Sequence, residues 1–288
     1  MTRYPDATLT KTNIGDAMTL AKTILGVQDN RLDLRAIGHG VNGSRWRTEA
    51  MRAHASPRLI FVAKGQGRIT LAGLTSGYGP NNLLFVPAGT MYGMEVGKTV
   101  YAQILTLPLA MADEWPEEPV HLRLRDVVAQ KELAQIFDQL EAELRSDRTG
   151  HTRAAHYHAG LLSVFFERQC DGLPAEDRRQ TSQARLSAAY SDLVERRFRN
   201  SLGVSELAAE LGVTPTHLTR VCKQTCGRSA LAILNDRIHY EARILLRDTR
   251  RPVNEIAKGL GFASAAYFTR SFQAAAGMTP SAFRKSAG

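Results

Sequence analysis

Between about residues 32 and 108 apolar residues come in short runs, and the gaps between runs are filled with glycine, proline and small polar residues. "RLIFVAKGQGRITLAG", "LTSGYGPNNLLFVPAGTMYGMEV" and "TVYAQILTLP" are rich in β-branched and aromatic residues, which suit a pleated, half-buried surface. Several such runs separated by turns predict a sandwich or barrel. The rhythm then changes. In "DVVAQKELAQIFDQLEAELRSD" and "RAAHYHAGLLSVFFERQ" apolar positions recur every three or four residues, the period of an amphipathic helix, so a packed helical pair is expected after the strands. "DGLPAEDRRQTSQ" is polar and contains Gly and Pro, which places a linker at residues 171–183. From Ala184 onward the pattern is helical throughout. The expectation is a two-domain α+β protein: a β-domain with a helical pair over 1–170, the linker, and an all-α domain over 184–288.

The helical half repeats itself. Val204, Glu206, Leu207, Ala208, Leu211 and Gly212 return as Val253, Glu255, Ile256, Ala257, Leu260 and Gly261, each 49 residues on. After one inserted residue, Leu218, Thr219, Arg220 and Gly227 return as Phe268, Thr269, Arg270 and Gly277 at an offset of 50. Such self-similarity marks two copies of one supersecondary unit. In each copy a small residue (Ala208, Ala257) lets a second helix approach the first. A glycine four residues later turns tightly at positive φ, and an apolar residue (Leu218, Phe268) locks the second helix in place. This is the spacing of a helix-turn-helix. Thr214 followed by Pro215 suits the start of the second helix in the first copy, and Ser264 suits it in the later copy. Between the copies, "SALAILNDRIHYEARILLRDT" carries Leu231, Leu234, Ile238, Ala242, Leu245 and Leu246 at helical spacing. It predicts a spacer helix of about 20 residues, roughly 30 Å long.

Charge follows the same division. The 288 residues include 37 Lys and Arg against 28 Asp and Glu, a net +9, and from Ala184 onward 16 Lys and Arg face 8 Asp and Glu. Nearly all the surplus lies in the helical half, which points to an acidic polymer as its partner. On the second helix of the first copy, Thr216, Thr219, Arg220 and Lys223 lie on or beside one outer face, while Leu218 and Val221 turn inward. On the later helix Ala265, Ala266, Thr269 and Arg270 share the outer face above Phe268 and Phe272. An arginine on a face of small residues can enter a major groove and reach guanine O6 and N7 together, a contact worth about 1–3 kcal/mol of discrimination. Two such faces on one rigid spacer could read successive major grooves, which are roughly 34 Å apart. These eight residues are the candidate contacts to double-stranded DNA.

"EIAKGLGFASAAYFTRSFQAAAGMTPSAFRK", with its glycine, aromatic pair, arginine and closing Pro-Ser-x-Phe-Arg, resembles the C-terminal signature of the AraC/XylS family of bacterial transcription regulators. The likeness spans the whole helical half. It implies seven helices with two helix-turn-helix units joined by a long helix. By position it puts the family's base-contacting residues at Thr216, Thr219 and Arg220, and at Ala265, Ala266, Thr269 and Arg270. Cys222 departs from the pattern, because the family has a core aromatic there, as the second copy has Phe272; a looser first unit is the expected consequence. The strand-rich half resembles the cupin-type barrel that such regulators use for effector binding or dimerisation. "GPNNLLFVPAGTMYGMEV" is similar to the second cupin motif, yet Tyr92 stands where metal-binding cupins place a histidine, and no His-x-His with a following Glu occurs. A cupin-like β-barrel without metal, other cofactor or catalytic residue is therefore expected.

Other signals fit structure better than chemistry. His151, His156 and His158 fall on a predicted helix, with the last two on different faces. "GQG" at Gly65–Gly67 reads as a hairpin turn rather than a phosphate loop, since no helix and lysine follow at the required spacing. Cys222 and Cys226 have no matching Cys or His pair and read as core; together with Cys170 they are expected as free thiols. No apolar run approaches the roughly 18 residues of a membrane span, and the N-terminus has no apolar signal core, so the expected location is cytoplasmic, away from membranes. Asn42-Gly43-Ser44 fits a glycosylation acceptor that a cytoplasmic protein would not use. Arg45, Trp46, Arg47, His54 and Tyr92 are expected inside the barrel, as candidate contacts to an anionic or aromatic effector.

The combined expectation is a non-enzymatic, sequence-specific DNA-binding regulator of transcription, controlled by a small-molecule effector in the barrel. RNA polymerase and a second copy of the chain are its other candidate partners. Two rivals stay open. An architectural DNA binder without effector would show a strong salt dependence without sequence preference, and a cupin enzyme with a DNA-binding tail would carry metal when purified.

Overall fold

The computed structural model describes residues 31–38, 45–172 and 181–287. The Asn42-Gly43-Ser44 triplet, the N-terminal stretch and residues 173–180 of the expected linker lie outside the described residues. Antiparallel strands build the first half: β1 (Asp33–Gly38), β2 (Arg58–Lys64), β3 (Gly67–Leu71), β4 (Leu74–Tyr78), β5 (Asn82–Val86), β6 (Tyr92–Met94), β7 (Tyr101–Thr106) and β8 (Val120–Arg123). They form a five-stranded sheet in the order β1-β7-β2-β5-β8 and a three-stranded sheet in the order β4-β3-β6. A single helical turn, α1 (Trp46–Glu49), precedes β2, and α2 (Val127–Arg145) and α3 (His151–Asp171) follow β8.

β2 explains why the strand-rich half reads as continuous apolar runs. Ile60 and Val62 face the small sheet together with Ile69, Leu84 and Met94, whereas Leu59 and Phe61 pack with Leu83, Phe85, Phe137 and Phe166 beneath α2 and α3. Successive side chains of a strand point to opposite faces, so a strand covered on both sides needs apolar residues at nearly every position. The result is three layers: small sheet, large sheet, helical pair. Aromatic rings close the outer core, with Phe61 and Phe137 at 5.1 Å and Phe85 between Trp115 at 5.1 Å and Phe166 at 5.8 Å. Among the described residues no ladder joins the two sheets, so the expected barrel is not closed.

The turn at Gly65–Gly67 also differs from expectation. β2 and β3 belong to different sheets, so the turn is a crossing between layers and not a hairpin. The hairpin of this region is β3–β4. Its two turn residues, Ala72 (φ 47°) and Gly73 (φ 75°), are both left-handed, as a two-residue turn matched to strand twist requires.

The second half contains seven helices among the described residues: α4 (Ser182–Arg197), α5 (Val204–Glu210), α6 (Pro215–Cys226), α7 (Ala230–Asp248), α8 (Val253–Gly259), α9 (Ala265–Ala276) and α10 (Pro280–Ala287). Tyr190, Leu207, Ala208, Leu218, Leu234, Ile256, Phe268 and Phe272 belong to one shared core. Met51, Ala53 and Met91 of the first half join it, so the two halves pack directly. Polar contacts reinforce this junction. The Met51 backbone N–H donates to Asp236 Oδ2 at 2.7 Å, and Ser187 Oγ donates to the Gly73 carbonyl at 2.8 Å.

Candidate DNA-binding surface

Each helix-turn-helix is assembled by the residues that the repeat singled out. Ala208 and Ala257 are buried at the crossing with the second helix, and Gly212 (φ 68°) and Gly261 (φ 82°) make the turns. Thr214 Oγ1 accepts from the His217 backbone N–H at 3.2 Å, and Ser264 Oγ accepts from that of Tyr267 at 3.2 Å, so both second helices start on the expected caps. Leu218, Val221 and Cys222 are buried on α6, as Phe268 and Phe272 are on α9. The opposite faces are open. Thr216, Arg220 and Lys223 are exposed with Thr219 half-buried, and Ala265, Ala266 and Arg270 are exposed with Thr269 half-buried.

Local contacts refine these faces. Thr269 Oγ1 donates to the Ala265 carbonyl at 2.9 Å, which spends the hydroxyl on the helix and leaves the methyl for contact. Arg220 Nη2 meets His217 Nδ1 at 2.9 Å, a hydrogen bond with the nitrogen accepting, so the guanidinium of the first unit is held by its own helix. Sequence reasoning passed over His217, although its position three residues before Arg220 puts both on one stripe. It also passed over Gln273, which is exposed on α9 where Lys223 stands in the first copy. The three-residue spacing was signal enough for His217, and the offset of 50 residues for Gln273.

The spacer α7 is fixed to α4 by buried charge and to the second unit by polar contacts. Arg237, 3% exposed, makes a two-point contact to Glu195 of α4 (2.5 and 3.0 Å) and donates to Glu241 at 2.9 Å; Glu241 also accepts from Arg199 at 2.5 Å. Burial opposes the charge on Arg237, yet the two carboxylates hold its pKa above the ordinary arginine value. Toward the second unit, His239 Nε2 meets Ser271 Oγ at 2.9 Å and Arg243 Nη2 donates to the Ala275 carbonyl at 3.0 Å, both on α9. Arg284, from the closing Pro-Ser-x-Phe-Arg, donates to the carbonyls of Leu246 (3.2 Å) and Arg251 (2.5 Å) and so caps the end of the spacer. At 19 residues, α7 is about 28 Å long.

Cys222 is fully buried, and burial, with Cys226 adding to it, pushes its thiol up to about 12, so it stays a neutral core group. Beside it Tyr190 is fully buried too, its hydroxyl donating to the Ala230 carbonyl at 2.7 Å. An aromatic from α4 thus lies next to the residue where the second unit places Phe272 on the recognition helix itself.

The five candidate effector residues do not share the interior of the strand-rich half. Arg45 and Arg47 are exposed at and on α1. Trp46 leaves the sheets altogether and packs edge-on against Tyr240 of α7 and Phe283 of α10, with centroids at 5.8 and 5.9 Å. Only Tyr92 lies in the core between the sheets, with His54 against its ring at 5.7 Å. Arg52 covers the Tyr92 ring at 4.2 Å, and Arg58 Nη1 donates to its hydroxyl at 3.5 Å. Burial favours the neutral phenol, but these two guanidinium groups hold its pKa below the ordinary tyrosine value. Sequence reasoning missed Arg52 and Arg58 because their burial depends on the sheet register. Among the described residues no helix is long and apolar enough to cross a membrane.

Residues 37–165 match the family described as AraC-like ligand binding domain, and residues 207–286 match a helix-turn-helix domain family. The chain is 24% identical to the Arabinose operon regulatory protein of Escherichia coli (strain K12) over 232 residues, 78% of this chain and 79% of that protein. It is 33% identical to the Right origin-binding protein of the same organism over 85 residues, 30% of this chain and 29% of that one. Among solved structures, unsaturated fatty acid bound wild-type ToxT from Vibrio cholerae strain SCE256 aligns over 88% of this chain and 91% of its own, at 11% identity and a TM-score of 0.42. With both of its halves matched, and in this order, the chain belongs to the AraC family of transcription regulators.

Proposed function

We propose that this protein is a sequence-specific DNA-binding regulator of transcription that acts in the cytoplasm and has no enzymatic step. Residues 184–288 read DNA, and residues 1–170 bind a small molecule that sets the affinity. The observation that carries this reading is the pair of open helix faces on one clamped spacer, each with an arginine among small residues. Thr216, Thr219, Arg220 and Lys223 contact one major groove, and Ala265, Ala266, Thr269 and Arg270 contact the next along one face of the duplex. The match to a ligand binding family supports an effector in the first half. The direct packing of the halves supports coupling, because an effector that prefers one arrangement of the halves shifts DNA affinity, and DNA shifts effector affinity by the same factor.

Selection of bound fragments from random DNA by the full chain, at physiological salt, tests the reading. A motif in two parts about 10 base pairs apart is expected. Arg220→Ala should flatten preference in one part and Arg270→Ala in the other, each by about 1–3 kcal/mol at one base pair. DNA retained without any enriched sequence would replace this reading with the architectural one.

A further inference from the structure

The two recognition helices present the same arginine in different company. His217 and Tyr267 are equivalent, 50 residues apart, and each stands three residues before its arginine, Arg220 or Arg270. On a helix that interval puts both members of each pair on one stripe. The turn residues behind them, Val213 and Phe262, are equivalent too. Each follows a left-handed glycine and donates its N–H at 3.0 Å to the carbonyl of the small residue at the crossing, Ala208 or Ala257. In the second copy Phe262 offers a ring, and Tyr267 tilts against it with centroids at 5.8 Å. Val213 offers none. His217 pairs instead within its own helix, where its Nδ1 accepts from Arg220 Nη2 at 2.9 Å. Among the described residues Arg270 has no such partner.

We propose that His217 is a positioning residue that holds Arg220 ready for one guanine, and that the second unit reads its base pair with an arginine left free. This rests on the reading of both arginines as major-groove contacts. A guanidinium has five N–H donors in a rigid fork. His217 takes one, and the four that remain are enough for a two-point contact to guanine O6 and N7. A free arginine loses rotamer freedom when it docks, whereas one tied at Nη2 has lost part of that freedom on folding. The tie also sharpens the choice of base. An arginine free to swing exchanges a wrong base for a nearby phosphate, and a held one loses its contacts when the base changes. The ring that does the holding is itself restrained, because His217 is half-buried and its backbone N–H is capped by Thr214.

Binding of the full chain to duplex DNA carrying the selected two-part motif tests this, at physiological salt and with single changes at the base pairs identified by Arg220→Ala and Arg270→Ala. His217→Phe keeps a ring but removes the acceptor. It should lower discrimination at the Arg220 base pair by roughly three- to tenfold. Discrimination at the Arg270 base pair should stay at its wild-type value, which a general loosening of the fold would not allow. Combined with Arg220→Ala, His217→Phe should cause no further loss, because the two side chains act as one unit. His217→Asn, whose amide oxygen can stand near the place of Nδ1, should restore most of the discrimination. Full discrimination in His217→Phe beside a clear loss in Arg220→Ala would overturn the positioning role and leave the groove reading intact. So would equal losses at both base pairs. Wild-type discrimination in Arg220→Ala would instead overturn the groove reading, and this proposal with it.

Discussion

His239 is 7% exposed on the spacer helix, with its ring held against Ser271 of the second recognition helix. Burial, with the Arg243 charge adding to it, pushes its pKa down to about 4. A histidine in the unfolded chain titrates near 6.5, so the folded protein holds the neutral ring. The stability this represents is present above pH 6.5 and is lost as pH falls toward 4, at a cost on the order of 3 kcal/mol by pH 4. His121 of β8, also pushed down to about 4 by burial, adds an acid sensitivity of its own. Urea unfolding at pH 7.5 and pH 5 should show the wild type losing stability, and His239→Gln losing less. Equal losses would show that His239 is not a buried neutral group. In the sequence this histidine is one of several polar positions on an amphipathic helix. Only the packing of α9 across α7 decides that it is inside.

At the level of elements, the two helix-turn-helix units share a sequence plan but not an environment. A β-carbon at Gly212 would meet nothing within 4 Å, whereas one at Gly261 would lie 2.7 Å from the Ser201 backbone nitrogen and 2.9 Å from the Arg199 carbonyl. Both residues are left-handed, so alanine strains either turn by roughly 1 kcal/mol. At Gly261 the second turn also has to move off the 199–201 segment, so Gly261→Ala should destabilise clearly more than Gly212→Ala. Chemical denaturation of both variants decides this; equal effects would mean that the contact between the turns yields freely. The repeat made both glycines legible as turn residues. That one of them also packs against the lead-in to the first unit was not legible, because that contact joins residues 60 positions apart.

Across the whole molecule the halves meet through the β3–β4 turn and the segment around α1. Gly73 fits the α4 surface so closely that a β-carbon there would lie 2.6 Å from the Ser187 carbonyl and 2.7 Å from Ser191 Oγ, in addition to the strain of its positive φ. Gly73→Ala should therefore lift the hairpin from α4 and destabilise the protein by at least about 1 kcal/mol, a few degrees in Tm. Calorimetry should show the single unfolding transition of the wild type broadening or splitting as the halves begin to melt separately. A variant with one transition at the wild-type temperature would show that this contact does not couple them.

The sequence by itself determined the order of elements, the two helix-turn-helix units, their caps and inward faces, and the outward arginines. Each of these rests on local periodicity, turn chemistry or an internal repeat. Trp46 and Arg52 show what it left open. Trp46 was expected inside the barrel and instead reaches α7 and α10, while Arg52, which the sequence did not single out, lies over Tyr92. Whether the sheets close, which polar groups are buried, and how the halves meet depend on contacts between residues far apart in the chain, so only the tertiary structure decided them. The physical reason is that burial is a property of what covers a residue, and the cover here comes from elsewhere in the chain.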